Sequence, residues 1–212
     1  MSIRFCDDRG EHGFSWIVDD PMTRTSHALS ADGRVWLVDP VRYEPALDRA
    51  RALGTPAAVV QLLERHNRDS AALAVELDVP HLVVPDRLPS TPFEVVPVLA
   101  SRRWHEVALW WPSEHTLVVA EAVGTNRFFT GGGGAAGVHL LMRLAPPRDA
   151  LGPFQPEHLL VGHGEGLHGP EATGALETAL ATARTGLLRL LPRVPAFALD
   201  AVRRRRRPRV GR

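Results

Sequence analysis

Leu63-Glu64-Arg65-His66-Asn67-Arg68-Asp69-Ser70 closes an almost continuous apolar run that begins at Ala57. Such a run reads as a strand covered on both faces, and it places a charged octet at the strand's C-terminal end. A helix is expected next, over Asp69 to Leu77, with Ala71, Ala72, Val75 and Leu77 as packing residues and Asp78-Val79-Pro80 as its stop. His81 to Val84 reads as the following strand. Upstream, Arg34 to Val38 is a strand ended by Asp39-Pro40. Pro45 to Leu53 has helical spacing at Ala46, Leu47, Ala50 and Leu53, with Gly54 as its cap. The order strand, helix, strand, helix, strand is the signature of parallel crossovers. Phe14 to Val18 and Ser26 to Leu29 precede it as shorter strands, and Asp32-Gly33 marks a turn.

Beyond residue 90 the pattern changes. Phe93 to Leu99, Glu106 to Trp111 and Thr116 to Ala120 are three strands with no room for helices between them, so an antiparallel meander is expected. Gly124 to Gly134 reads as loop, Gly137 to Leu144 as a short helix, and His158 to Val161 as a strand ending in Gly162-His163-Gly164. The last helix starts at Pro170. Leu176, Ala179, Leu180, Ala183, Leu187, Leu190 and Leu191 form its apolar face, and Pro192 stops it. A mixed set of strands with helices outside calls for two facing sheets in a layered α/β architecture.

The 212 residues suffice for one domain with a sizeable core. Apolar residues at 44% and charged residues at 23% place the chain among ordinary globular proteins. The net charge of +1 conceals an asymmetry, because Arg203 to Arg207, Arg209 and Arg212 crowd the C-terminus and the body without them is acidic. One domain over 1–200 and a disordered arginine-rich tail over 201–212 are expected, and only that tail speaks for nucleic acid. A single cysteine, Cys6, excludes an internal disulfide and a cysteine-built zinc site. Residues 1–10 show no signal-peptide pattern and no stretch is apolar enough to span a membrane, so the cytoplasm is the default compartment.

Four strand ends carry polar residues in order: Asp39, the octet ending at Asp69-Ser70, Glu121 after Thr116-Leu117-Val118-Val119-Ala120, and His163. Ligands gather at such ends. In this order and spacing, residues 14 to 175 resemble the metallo-β-lactamase superfamily. That family has a strand ending in aspartate, then H-x-H-x-D-H after a strand, then a strand ending in G-D, then one ending in G-H. The resemblance implies a four-layer αββα sandwich. It also implies hydrolysis at a one- or two-metal centre of zinc, iron or manganese, which lowers the pKa of bound water and polarises the scissile bond.

The resemblance also shows a degraded motif. With Asp69 on the family aspartate, Arg65, Asn67 and Ser70 stand on histidine positions, and His66 is one residue out of register. The next histidine falls near Arg102, with His105 beside it. Glu121 replaces the bridging aspartate, and His163 is retained. Arginine has only donors and cannot ligate. The implied metal set is therefore His66, Asp69, Glu121 and His163, with Asp69 and His163 catalytic. Asp39, Arg65, Asn67, Arg102, His105 and Asn126 would line the pocket.

Two readings stay open at this point. A single ion held by that set would serve hydrolysis of a small ester, thioester, lactone or amide. Alternatively, no metal is held, and Arg65 or Arg102 neutralises Asp69 or Glu121 in a non-catalytic protein that binds an anionic small molecule or a protein partner. A dimer is compatible with the sequence, and nothing in it demonstrates one. Local roles compete too: Asp69 suits a helix N-cap, Asp39 a turn, His66 and His163 loop positions. Glu121 on an apolar strand requires a metal, an arginine or a hydrogen-bond set. The glycine run Gly131 to Gly134 resembles a phosphate cradle but lacks the Lys-Ser or Lys-Thr that would complete one; a plain surface loop or a flap over the pocket is expected there.

Overall fold

A computed structural model describes residues 2–102 and 104–190; the side chains of 187–190 and the expected tail lie outside what it describes. The first sheet has six strands in chain order: β1 (Ile3–Asp8), β2 (Gly13–Val18), β3 (Thr25–Ala31), β4 (Arg34–Val38), β5 (Thr55–Gln61) and β6 (His81–Val83). The first four pair antiparallel, while β4, β5 and β6 run parallel, connected by α1 (Glu44–Leu53) and α2 (Ser70–Glu76). Alternation sorts the faces. Val35, Leu37 and Val59 pack with Ala46, Leu47 and Ala50 of α1 and Leu73 of α2, whereas Trp36, Val38, Ala58 and Val60 point the other way into the inter-sheet core. Both faces are covered, which is why β4 and β5 look apolar throughout.

The second sheet contains β7 (Glu94–Ser101), β8 (Trp104–Trp111), β9 (Thr116–Val119), β12 (His158–Val161) and β13 (Leu167–His168). A small ribbon of β10 (Val123–Gly124) and β11 (Gly137–Val138) lies between β9 and β12 in sequence. The meander of β7, β8 and β9 is antiparallel as expected. Trp36 of the first sheet meets Phe93 edge-on at 5.1 Å, and Phe93 meets Trp111 of the second at 5.2 Å. α5 (Pro170–Leu190) packs Ala172, Leu176, Ala179, Leu180 and Ala183 on the outside of the second sheet. The layers are thus helices, sheet, sheet and helices. Two short helices, α3 (Arg127–Thr130) and α4 (Arg148–Leu151), fill the connection from β9 to β12. Among the described residues no helix is long and apolar enough to cross a membrane.

Two details differ from the sequence reading. β1 forms despite its charges by pairing with β2, with Ile3 packed on the core and the buried Asp7 carboxylate held by Gly166 N and His168. Residues 137–144, expected to be a short helix, instead form β11 and a single 3-10 turn over Leu140–Met142; Gly137 closes against the Phe129 carbonyl, where a Cβ would stand 2.2 Å from the oxygen. The last helix holds its apolar face as far as Ala183, and Leu187, Leu190 and Leu191 fall outside the described side chains.

β9 and β12 lie side by side in parallel, so their C-terminal tips share one end of the sandwich. A Cβ on Gly162 would stand 2.2 Å from the Ala120 carbonyl, so only glycine permits this approach. The same tip meets the first sheet, with Thr25 N donating to Gly162 O at 2.9 Å. Arg68 completes the junction. Its Nη1 donates to Thr25 O and to Asp39 O (2.7 Å), and its Nη2 to Gly162 O (3.0 Å). Replacing it by methionine, which keeps the apolar stem, should cost on the order of 2 kcal/mol in urea unfolding. An unchanged midpoint would show that the tips dock without it.

His27 of β3 is buried, with Nδ1 2.8 Å from Ser15 Oγ. Burial, aided by the Arg68 charge and opposed by Asp7, pushes its pKa down to about 4. The folded chain therefore holds His27 neutral where the unfolded chain already binds a proton. Its contribution to stability is complete above about pH 6.5 and declines as pH falls towards 4. The stability slope in that window should be shallower in His27→Asn than in the parent; an identical slope would place the titration elsewhere.

Candidate functional site

The site is assembled at the shared tip from three loops. Asp39 ends β4 in a left-handed conformation (φ 44°) and is buried. Its Oδ1 accepts the Leu62 N–H at 3.1 Å, and its Oδ2 lies 2.9 Å from His66 Nδ1. Gln61 Nε2 holds the carbonyls of Leu63 and Glu64 at 2.9 Å each, which curls the octet back over the end of β5. The His66 ring is therefore fixed with its Nδ1–H on Asp39 and its Nε2 turned inward, 3.5 Å from Glu121 Oε2. Burial works against charging His66, but the Asp39 carboxylate outweighs it and raises the pKa.

Glu121 follows β9 and is held from behind by a second glutamate. Glu106 of β8 is 0% exposed. Its Oε1 accepts the N–H groups of Glu121 and Ala122 at 2.8 Å each, and its Oε2 accepts Trp104 Nε1–H at 2.7 Å. Burial pushes the Glu106 carboxyl up, against those three donors. Glu121 itself behaves in the opposite way. Burial would raise it, but His66, His163 and His139 outweigh burial and hold it down to about 2, so it is a carboxylate.

His163 sits between two glycines past β12. Its Nδ1 is 2.9 Å from the Met22 carbonyl, so the ring proton is on Nδ1, and its ring stacks on Phe129 at 5.5 Å. The opposite nitrogen, Nε2, is buried with no hydrogen-bond partner. Burial, together with Arg68 and His66, lowers its pKa to about 4, which leaves Nε2 a lone pair. A fourth imidazole, His139, is buried against Trp104 and Phe129. Its Nδ1 accepts the Leu141 N–H at 3.2 Å, so its proton is on Nε2, which points at Glu121 Oε1 from 3.5 Å.

Of the residues expected from the sequence, His66, Glu121 and His163 come together, with one ligand atom from each within 4.8 Å of the others. Asp39 stands behind His66. Asp69 is not in this group: it occupies the N-cap position of α2 and its Oδ2 accepts the Arg42 N–H at 2.7 Å. Asn67 is exposed, 3.4 Å from Gln61 Nε2. Arg65 reaches the rim, with Nε 3.7 Å from Glu121 Oε2 and its guanidinium 3.9 Å above the Trp104 ring. The Arg102 and His105 side chains are exposed at the end of the β7–β8 hairpin. Asn126 caps α3 through Phe128 N and Phe129 N and donates to Met22 O, which makes it a brace beneath His163.

Sequence reasoning missed Glu106, His139 and Arg68. The test applied to Glu121, a carboxylate on an apolar strand, would have singled out Glu106 as well. His139 lay in a stretch expected to be helical. For Arg68 no local signal exists, because its three carbonyl partners come from separate strands.

The donor set suits a metal ion. Two imidazoles present Nε2 while a carboxylate or a carbonyl holds each Nδ1–H, the usual arrangement behind a ligating histidine. The third donor is an ionised carboxylate, and His163 Nε2 has no partner within the protein.

No protein-family profile matches the sequence, and no curated protein matches it. Solved structures do. The DIM-1 metallo-β-lactamase exposed to ceftazidime aligns with a TM-score of 0.60 at 14% identity, over 88% of this chain and 98% of its own. TMB-1 aligns at 0.61 and 10% identity over 88% and 99%. A metallo-β-lactamase from Erythrobacter litoralis aligns at 0.60 and 10% identity over 86% and 92%. At these identities the likeness carries architecture alone, and the architecture is plain: this chain has the metallo-β-lactamase fold.

Proposed function

We propose that this protein is a hydrolase dependent on a single metal ion, held by Nε2 of His66, Nε2 of His163 and the carboxylate of Glu121. The carrying observation is the buried, unpartnered His163 Nε2 facing two further donors within 4.8 Å. When bound, the ion would supply a water of lowered pKa and polarise a carbonyl. The protein's own groups have distinct tasks. Asp39 and the Met22 carbonyl keep the two Nε2 lone pairs directed inward. Glu106 holds the 121–122 backbone so that Glu121 points at the histidines. His139 presents an Nε2–H beside Glu121. The Arg65 guanidinium, flat on Trp104 at the rim, is placed to meet an anionic or carbonyl-bearing substrate. The substrate class is a small ester, thioester, lactone or amide, and zinc, iron and manganese all accept this donor set.

A second reading rests on the Arg65 approach to Glu121 at 3.7 Å. In it no ion binds, Arg65 satisfies Glu121, and the pocket takes an anionic small molecule or a protein partner. Arg102 plays no part in that version, since among the described residues it makes no ion pair with Glu121 or Asp69, whereas Arg65 approaches Glu121.

Elemental analysis after zinc loading separates the readings. The first expects one ion per chain in the parent and none retained in His163→Ala. A metal-free parent with unchanged activity would sink it.

Positioning residues give a finer measurement. Asp39→Asn and Glu106→Gln should each weaken metal affinity by about 10–100-fold while the ligands remain. Equal affinities in competition with a chelator would show that neither carboxylate orients the site.

A further inference from the structure

Between the end of α3, β11 and α5 lies a cavity of about 640 Å3 that neither Phe129 nor His163 lines. Its walls are the glycine run Gly131 to Gly134, Val138 of β11, and Thr178, Ala179 and Thr182 of α5, with Arg143 among them. Arg143 is 4% exposed. Its Nη2 donates to the Phe129 carbonyl, and Nε is buried with no partner. Nη1 lies over Gly186, where a Cβ would come within 2.5 Å of it, and no hydrogen bond to it is formed among the described residues. No carboxylate among the described residues pairs with this guanidinium, and burial lowers its pKa without an acid to oppose it.

A buried guanidinium with two idle N–H positions is costly unless an anion meets it. The surroundings suit one. Gly131, Gly132 and Gly134 have φ of 62°, 81° and 80°, so the wall is bare backbone bent through conformations that side chains disfavour. Thr178 is exposed to the cavity mouth, and its hydroxyl makes no hydrogen bond among the described residues.

We propose that this cavity is a binding site for a small oxyanion, a phosphate or carboxylate group that sits on Arg143 beside the glycine run. The site is separate from the histidine centre and does not depend on a metal there. Phe129 stands between the two, with its ring on His163 and its carbonyl on Arg143.

The test uses the 15N-labelled full chain titrated with sodium phosphate and, separately, with sodium acetate, each against sodium chloride at matched ionic strength. The expected result is a saturable shift of the Arg143 Nε–H and of the Gly131 to Gly134 amides with phosphate, acetate or both, and none with chloride. Which of the two saturates identifies the head group. Arg143→Lys should weaken binding by about tenfold or more, because lysine cannot reproduce the guanidinium fork. Thr178→Val, at an exposed position, should weaken it severalfold in a chain that folds normally. His163→Ala should leave the titration unchanged. Shifts that follow ionic strength, that persist in both Arg143→Lys and Thr178→Val, or that vanish in His163→Ala would each overturn the proposal, the last by assigning the anion to the histidine centre.

Discussion

The Arg68 guanidinium is the joint on which the tip of the sandwich turns. It collects carbonyls from the end of β3's first residue, from Asp39 after β4 and from Gly162 after β12. Two of these belong to one sheet and the third to the other, so one side chain reinforces the backbone bond from Thr25 N to Gly162 O that joins the sheets where the site lies. The backbone at Arg68 is left-handed, with φ 41°, a conformation that costs a side-chain-bearing residue on the order of 1 kcal/mol. Three charge-assisted hydrogen bonds offset that cost. A lysine could not do the same, because its ammonium lacks the planar fork that reaches two strands at once.

That arrangement explains which acidic residues are where. A guanidinium in a low-dielectric position calls for negative charge nearby, and Asp39 supplies it. Burial opposes ionisation of Asp39, but His66 and Arg68 outweigh it and its pKa is lowered. Asp39 is thereby committed to the tip, which aims His66. Asp69 is committed elsewhere, to the Arg42 N–H at the start of α1's approach. His66 reaches the centre and Asp69 does not, because the anchor on Asp39 decides the ring's direction while Asp69 is held by the Arg42 N–H.

The fold was legible to the extent that it is written in local periodicity. Continuous apolar runs at 35–38 and 57–63 identified the doubly covered strands, and the helix-free stretch from 93 to 120 required a meander. β1 and β13 were not legible, since short edge strands with polar faces have no distinct pattern. Within the site, Glu121 was legible because a carboxylate on an apolar strand needs a reason. Glu106 follows the same logic and was hidden inside its own strand. Arg65 and Arg68 are two arginines three positions apart on either side of His66 and Asn67; only packing distinguishes the one on the rim from the one inside.

The charge balance at the tip bears on how many ions such a site could accept. Asp39 and Glu121 are the carboxylates facing the histidines, and Arg68 already offsets one of them. Arg65 at the rim offsets part of the other, less effectively because it is half in water. One divalent cation would bring the cluster to a modest positive charge that the Nε2 lone pairs can share. A second would add two more charges with no further carboxylate to meet them, in a region where unlike charges are strongly coupled and like charges equally so. Arg65 beside Glu121 is a fixed cation, so if an ion binds at this tip the electrostatics favour one over two.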